Sequence, residues 1–228
     1  MMNDPGKERF YGRRKGRPLR AGRQRLMQEL LPRIAVRLEA GRSVIPSWPG
    51  GAPAQMVMEI GFGAGEHLAA MARAEPDTGF IGCEPFVNGV ARLLSQIEED
   101  GLENVRIWPD DARPLIDALP EASFDRVYVL FPDPWPKRRH RDRRFVGPGN
   151  LPRLARLIKP GGMLCLASDH PGYIAWMLAH VRADARFRWL AYHPDDWRIR
   201  PADWPGTRYD AKARSQGLKP AYLRFLRV

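Results

Sequence analysis

Three acidic residues each end or follow a short apolar run, where a side chain can reach a bound ligand. Glu59 ends the first run and is followed by glycines at 61, 63 and 65, whereas Glu84 ends the second run. Asp111 follows the third run, in the segment PDDA. The carboxyl ends of parallel strands meet at one edge of a sheet, and ligands bind at that edge. Carboxylates there can accept hydrogen bonds from ribose hydroxyls or from an adenine amino group.

The glycine cluster EIGFGAG (59–65) permits three interpretations, because glycine lets a turn pass close to a ligand. A P-loop requires Lys and then Ser or Thr after its second glycine, but Gly65 is followed by Glu66 and His67. A dinucleotide fingerprint requires glycine where Glu66 stands, and an acid near a helix N-terminus opposes a pyrophosphate. The pattern ExGxGxG is typical of S-adenosylmethionine sites, whose ligand has no phosphate. We therefore predict an S-adenosylmethionine site; the alternative is that these acids only cap the following helices.

The segment FPDPWPKRRH (131–140) follows the fourth apolar run. Its prolines at 132, 134 and 136 restrict the backbone and are expected to hold Asp133 and Trp135 rigidly at the end of a strand. A carboxylate beside a run of cations has few structural reasons to be there, because a plain RNA-binding surface would omit it. We therefore expect Asp133 to take part in the chemistry, and Trp135 either to stack on a base or to pack.

Positive charge is concentrated in two segments of this chain, which has 228 residues and a formal net charge of +11. Residues 1–25 hold nine Lys and Arg against two acids, and residues 137–144 hold six against Asp142. Two cationic segments on a nearly neutral globule indicate a polyanionic partner; a solubility tail and a solvated loop are the simpler alternative. We predict a flexible basic arm over residues 1–25 and a single domain over residues 26–228.

Apolar runs alternate with helical patterns along most of the chain. A helical pattern with a break at Pro32 covers 23–38, and a long functional loop is expected over 193–221. Strands are predicted at 56–60, 80–84, 104–108, 125–131 and 162–168, with a final antiparallel pair at 186–192 and 222–228. Helices are predicted at 67–74, 87–100, 112–119, 149–158 and 173–181. The sequence predicts an α/β, Rossmann-like fold with a mostly parallel seven-stranded sheet and helices on both faces.

Several classes of site are disfavoured by the sequence. The five histidines form no HxxxH or HExxH pair, and the isolated Cys83 and Cys165 form no CxxC pair, so we expect no metal. There is no signal-like stretch and no apolar run of membrane-spanning length. We therefore expect a cytoplasmic protein with no membrane partner and no obligate protein partner.

These motifs resemble those of the bacterial tRNA (guanine-N7-)-methyltransferase family. The likeness runs from GRPLRAGRQ through EIGFGAGEHL, FIGCEP, DDA, IKPGG and ASDH, and the string PDPWPKRRH is highly specific. The resemblance implies a class I methyltransferase that uses S-adenosylmethionine. It also implies that the substrate is tRNA and that the product is 7-methylguanosine at guanine 46 of the variable loop.

The resemblance also implies roles for the residues that match the family's motifs. Those expected to bind the donor are Glu59, Gly61, Gly63, Gly65, Glu84, Asp111, Ala112 and Asp133, with Asp133 also catalytic. Those expected to bind the substrate are Lys137, Asp169, Thr207, Arg208, Tyr209 and Asp210. Those expected to contact RNA are Arg139, His140, Arg141, Asp142, Arg143 and Arg144.

The chain departs from the family's pattern at two points. The late TKFE motif is TRYD (207–210), in which Asp210 is shorter than glutamate, and Asn88 stands where the family usually has proline. Two other functions remain as alternatives. Exocyclic-amine methyltransferases have an acid-or-amide–Pro–Pro–aromatic motif, of which Asp133-Pro134-Trp135 is a loose version. A non-catalytic RNA-binding subunit would keep the scaffold without the chemistry.

Overall fold

The computed structural model of the protein describes residues 10–39 and 42–228, so the first nine residues of the predicted basic arm lie outside the described residues. The strands are β1 Arg37–Glu39, β2 Arg42–Val44, β3 Gln55–Ile60, β4 Thr78–Cys83, β5 Val105–Trp108, β6 Phe124–Leu130, β7 Ile158–Ser168, β8 Phe187–Trp189 and β9 Ala221–Arg227. The helices are α1 Ala21–Glu29, α2 Leu31–Ile34, α3 Glu66–Ala74, α4 Val87–Asp100, α5 Ala112–Ala118, α6 Leu151–Leu157, α7 Pro171–Ala183, α8 Asp195–Arg198 and α9 Arg208–Ser215. A 3₁₀ helix, Arg138–Arg143, carries most of the second basic segment.

Seven of these strands form one sheet in the order β5-β4-β3-β6-β7-β9-β8. The strands from β5 to β7 are parallel, and β9 runs antiparallel to both β7 and β8. This confirms the predicted Rossmann-like fold and its final antiparallel pair. Because β3 has β4 on one side and β6 on the other, the strand order reverses at β3. Such a switch point leaves a crevice at the carboxyl ends of the strands.

The central strands are apolar along their length because helices cover both faces of the sheet. All six residues of β4 are buried. On one face α3 and α4 contribute Leu68 and Leu94 to the core, and on the other face α5, α6 and α7 contribute Leu115, Leu154 and Met177. This packing on both faces holds the carboxyl edge of the sheet in place.

The helical pattern over residues 23–38 is divided in the structure. α1 ends at Glu29, Pro32 lies in the first turn of α2, and β1 begins at Arg37. Proline lacks the N–H that a helix interior needs but fits its first turn, so it starts a new helix here. β1 and β2 then form an antiparallel hairpin that the sequence patterns did not indicate.

The boundary predicted between residues 25 and 26 falls within α1. Arg25 of this helix forms an ion pair with Glu98 of α4 at 2.6 Å, and the buried Leu26 belongs to the same core as Leu94. Residues 21–25 therefore belong structurally to the body of the protein. The expected flexibility of residues 1–25 stays a prediction.

Candidate active site

The carboxyl ends of the central strands open on a cleft of about 420 Å³. Six of the predicted donor-binding residues line it: Gly61, Gly63, Glu84, Asp111, Ala112 and Asp133. The loop after β6 adds Trp135, and α9 adds Arg208 and Tyr209. The cleft therefore brings together residues from five separate motifs at the switch point.

The glycine turn after β3 has a backbone that other residues rarely adopt. Gly61, Gly63 and Gly65 have φ angles of +75°, +60° and +81°. Within residues 10–39 and 42–228, nothing would lie within 4 Å of a Cβ on Gly61, so the absent side chain leaves open space in the cleft. A Cβ on Gly65 would lie 2.7 Å from the Leu93 side chain, so this glycine permits close packing of α3 against α4. Gly61 and Gly63 thus shape the cleft, whereas Gly65 has a packing role.

Glu84 holds the glycine turn against the start of α4. Its Oε2 accepts a hydrogen bond from the Gly63 N–H at 2.8 Å, and its Oε1 accepts one from the Phe86 N–H at 2.8 Å. Burial raises the pKa of this carboxyl, and the two backbone hydrogen bonds partly oppose that rise. Each carboxylate oxygen has a second acceptor position, so Glu84 can still receive hydroxyl donors from a ligand.

Glu59 does not reach the cleft surface. Side chains alternate along a strand, and Glu59 shares the face of Val57, which packs toward α3. There its Oε2 lies 2.9 Å from Nδ1 of His67, and both side chains are buried. His67 Nε2 and the neighbouring Tyr128 hydroxyl have no hydrogen-bond partner among the described residues. The structure therefore separates Glu59 from the five acid and glycine positions that shape the cleft.

Asp111 has two local roles as well as its place in the cleft. Its Oδ1 accepts a hydrogen bond from the Arg113 N–H at 3.1 Å and thereby caps α5. Both of its oxygens also accept from the Arg113 guanidinium. The adjacent Asp110 pairs with Arg14 at 2.6 Å. A ligand contact by Asp111 would therefore share this carboxylate with Arg113.

The loop after β6 is strained on either side of Asp133. Phe131 and Trp135 have φ angles of +50° and +41°, which bulky residues rarely adopt. Residues in such sparsely populated conformations persist only when their surroundings enforce them, and they cluster at functional sites. The Phe131 N–H donates to the Ala167 carbonyl at 2.8 Å, which anchors one end of the loop. Asp133 is exposed and faces the cleft.

Arg144 anchors the other end of this loop. It is only 6% exposed; its Nε donates to the Pro134 carbonyl at 2.8 Å, and its guanidinium lies over the rings of Tyr173 and Trp176. An arginine held in this way has little freedom to reach a phosphate. In the structure Arg144 therefore holds this loop, and its expected RNA contact stays a prediction.

The remaining residues of the second basic segment are more accessible. Lys137, Arg139 and Arg141 are exposed, and Asp142 is also exposed and lines the cleft. Arg143 lies over the ring of Tyr11 at 4.2 Å and over that of Trp135 at 5.1 Å. His140 packs edge-on against Trp135, and partial desolvation together with neighbouring cations lowers its pKa. The lowered pKa favours the neutral form of His140, and the exposed cations supply the positive surface.

The TRYD segment divides between two environments. Thr207 caps α9 through its Oγ1, which accepts from the Asp210 N–H at 3.0 Å, while Arg208 and Tyr209 line the cleft. Asp210 is 6% exposed and accepts hydrogen bonds from Arg214 and from the Tyr222 hydroxyl. Its carboxylate thus joins α9 to β9 and does not line the cleft.

Two further substrate-binding candidates lie outside the residues that line the cleft. Asp169 is half-buried just after β7, and Lys137 is exposed at the start of the 3₁₀ helix. Their roles stay predictions.

Sequence reasoning missed an amino-terminal part of the cleft. Phe10, Tyr11, Gly12 and Arg13 line it, although they are far from the other motifs in the chain. Tyr11 meets Trp135 edge-on, with ring centroids 6.3 Å apart. The one sequence signal is the pair of aromatic residues within the basic arm, a combination that nucleic-acid-binding surfaces use.

The part of the chain that the structure describes contains neither a metal-binding cluster nor a membrane-spanning helix. No three His, Cys, Asp or Glu residues there are grouped so as to hold a metal ion. No helix in residues 10–39 or 42–228 has the length and hydropathy of a membrane span.

Comparison with known proteins agrees with this geometry. A family model described as "Putative methyltransferase" matches residues 53–222, which is well over half of the chain. The tRNA (guanine-N(7)-)-methyltransferase of Rhodospirillum rubrum is 53% identical over 96% of this chain and 88% of its own length. That of Rhizobium meliloti is 49% identical over 97% of this chain and 96% of its own length.

Solved structures show the same fold at lower sequence identity. The 16S rRNA methyltransferase KamB is 15% identical, with a TM-score of 0.56 over 85% of this chain and 100% of that chain. The aminoglycoside resistance methyltransferase NpmB1 is 20% identical, with a TM-score of 0.53 over 77% and 88%. These two likenesses establish the class I methyltransferase fold alone. The identity to the curated relatives establishes more: the chain belongs to the tRNA (guanine-N(7)-)-methyltransferase family.

Proposed function

We propose that this protein transfers the methyl group of S-adenosylmethionine to N7 of guanine 46 in the variable loop of tRNA. One observation carries the proposal. The glycine turn, Glu84 and the strained loop that bears Asp133 all line a single cleft at the switch point of the sheet. The family membership of the chain supports the same activity.

The residues of the cleft fit S-adenosylmethionine. The open space beside Gly61 would be filled by any side chain, which agrees with close approach of a ligand. Glu84 can receive ribose hydroxyls, and the acids of the cleft suit a ligand that carries a sulfonium and an ammonium. Glu66 begins α3 where a dinucleotide would place its pyrophosphate, which argues against that ligand. The bound donor supplies an electrophilic methyl group on sulfur.

The chain's own contribution to catalysis is mainly positioning. Guanine N7 has a free lone pair, so its methylation needs no general base, and alignment of the reacting groups is the main requirement. Positive charge passes to the purine as the methyl group is transferred. The carboxylate of Asp133, at the rim of the cleft, would stabilise that charge or hold the guanine edge.

Two aromatic rings offer a place for the target base. The rings of Phe131 and Tyr209 are inclined by only 21°, with centroids 6.4 Å apart, and both residues line the cleft beside Asp133. Aromatic side chains bind unstacked bases of single-stranded RNA by stacking. We assign the guanine to this part of the cleft, with the exposed Lys137, Arg139 and Arg141 in contact with nearby phosphates.

The experiment is to incubate the protein with isotopically labelled S-adenosylmethionine and bulk tRNA. Nucleosides are then identified by mass spectrometry, and the modified position is mapped in a purified tRNA. Labelled 7-methylguanosine at position 46 is expected. A label on an exocyclic amine would favour the alternative methyltransferase class. Absence of a label, together with retained tRNA binding, would favour a non-catalytic RNA-binding protein.

A further inference from the structure

A segment without helix or strand lines part of the cleft. We call residues 10–17 the strap, and its first four residues line the same cleft as Glu84 and the glycine turn. Because the strap has no regular structure of its own, contacts with the body of the protein must hold it in place. The contacts at its second half show which residue does so.

The first turn of α4 holds the backbone of the strap through three hydrogen bonds. The Val87 N–H donates to the Arg14 carbonyl at 2.9 Å. Asn88 supplies the other two: its Oδ1 accepts from the Gly16 N–H at 2.8 Å, and its Nδ2 donates to the Arg17 carbonyl at 2.8 Å. One side-chain amide thus pairs with both a donor and an acceptor of the strap, as a neighbouring strand would.

Close packing at Gly16 points independently to the same residue. A Cβ on Gly16 would lie 2.6 Å from Oδ1 of Asn88 and 2.9 Å from the ring of Phe86. Neither contact is possible without movement, and moving the Asn88 amide would break its hydrogen bond to the strap. The strap therefore fits this surface because a glycine faces Asn88.

Two other contacts of the strap are an ion pair between half-exposed side chains and a contact with the second basic segment. The ion pair between Arg14 and Asp110 joins two half-exposed side chains, and such pairs contribute little. Arg143 lies over the ring of Tyr11 and connects the strap to the second basic segment. The two hydrogen bonds of Asn88 are thus the best candidates for the contact that seats the strap.

We propose that Asn88 is a positioning residue that seats the strap against the cleft, so that the strap completes the donor site and the methyl donor is bound more tightly. This inference rests on the proposed function, because it assigns the cleft to S-adenosylmethionine. Residues 10–13 contribute their part of the cleft wall only while the strap is seated, and unseating the strap breaks both hydrogen bonds of Asn88. Loss of two such bonds corresponds to roughly a tenfold change in affinity.

The first test measures binding without turnover. S-Adenosylhomocysteine, the reaction product, is titrated calorimetrically into the wild type, Asn88→Ala and Gly16→Ala. Both variants are expected to bind about tenfold more weakly. Asn88→Asp keeps the acceptor for Gly16 and loses the donor for Arg17, so an intermediate affinity is expected. Gly22→Ala is the matched control, because no described residue lies within 4 Å of a Cβ at Gly22.

The second test reports on the strap itself. Trypsin cleaves after Lys and Arg unless proline follows, so the strap offers Arg13, Arg14 and Lys15, whereas Arg17 is protected by Pro18. Asn88→Ala and Gly16→Ala should be cut faster at these sites than the wild type, with unchanged melting temperature, and added S-adenosylhomocysteine should protect the wild type most. A general loss of stability would instead lower the melting temperature and speed cleavage throughout the chain.

Each result has a distinct meaning. If the wild type does not bind S-adenosylhomocysteine, the donor assignment fails and this inference fails with it. If the wild type binds but Asn88→Ala and Gly16→Ala bind within about twofold of it, the proposed function stands and the role of Asn88 is refuted. Faster cleavage with unchanged affinity would show that Asn88 seats the strap without retaining the donor, which also overturns the proposal.

Discussion

Asp133 lies in the cleft because its neighbours are held in unfavourable conformations. Left-handed φ angles at two bulky residues cost about 1–3 kcal/mol each, and Phe131 and Trp135 both have them. Hydrogen bonds to Ala167 and from Arg144 hold the loop at its two ends. The fold thus maintains a strained loop, and this loop places the carboxylate of Asp133 in the cleft.

Asp133→Asn is therefore expected to remove activity and leave the fold intact. The substitution keeps the shape of the side chain and deletes the charge that would face the methylated purine. Loss of a preorganised electrostatic contact of this kind lowers kcat by about 10²–10³-fold. Methyl transfer to tRNA and the melting temperature are measured together. Asp77→Asn, an exposed carboxylate that does not line the cleft, is the control and should change the rate by less than about threefold. Near wild-type activity of Asp133→Asn would refute its role.

Glu84 makes donor binding sensitive to acid. Burial raises its pKa above the ordinary value of 4.5, and the ionised form is the one that accepts ribose hydroxyls. Affinity is therefore fully present above the raised pKa and is lost as the pH falls through it, earlier than for an exposed glutamate. Calorimetric titrations of S-adenosylhomocysteine across this range should show the decline. Glu84→Gln should bind weakly with a flatter profile, and an unchanged wild-type profile down to pH 4.5 would contradict the assignment.

At the scale of elements, two cations near the end of the 3₁₀ helix have different roles. Arg141 is exposed, whereas Arg144 is buried and donates to the Pro134 carbonyl. Arg144→Ala should lower the free energy of unfolding by about 2 kcal/mol, because a charged hydrogen bond is lost and its acceptor is left in a partly buried site. Arg141→Ala should leave stability unchanged and weaken tRNA binding.

Chemical denaturation and tRNA-binding measurements on both variants test this division. The division would be contradicted if the two variants were equally stable. It would also be contradicted if Arg144→Ala kept wild-type stability and bound tRNA more weakly than Arg141→Ala does.

The elements that could be predicted from sequence are those with a local pattern. β3 to β7 and α3 to α7 follow from apolar runs and helical spacing, because burial on both faces imposes that pattern. The strap could not be predicted, since the contact between Gly16 and Asn88 joins distant residues that share no periodicity.

Glu59 and Glu84 look equivalent in the sequence, but the alternation of side chains turns Glu59 toward α3. Motifs thus located the cleft, and packing decided which of their residues reach it.

At the scale of the whole molecule, the net charge of +11 is the sum of acidic and basic side chains that lie in different regions. Acids line the cleft proposed for a cationic donor, and exposed cations follow the motif that is proposed to meet RNA. Contacts between cations and phosphates release counterions, so tRNA binding should weaken steeply with salt.

Replacing Arg138, Arg139 and Arg141 together by alanine should reduce the slope of log affinity against log salt by about 2, at roughly 0.7–0.9 for each phosphate contact. Filter binding or fluorescence anisotropy over a salt series measures this slope. The matched control replaces Arg33, Arg37 and Arg42, which are exposed but lie outside the second basic segment, and should change the slope far less. Equal slopes in both triple variants would show that only net charge matters.

The order of strands in the sheet has a consequence for synthesis on the ribosome. β9 follows β8 in the chain but lies between β7 and β8 in the sheet. β8 therefore has no strand to pair with until residues 221–227 have left the exit tunnel, and until then the long edge of β7 is open. Unpaired edges promote association between nascent chains, and slow non-local pairing prolongs that exposure. We therefore expect the interval between synthesis of β7 and of β9 to be the period when this protein most needs a chaperone.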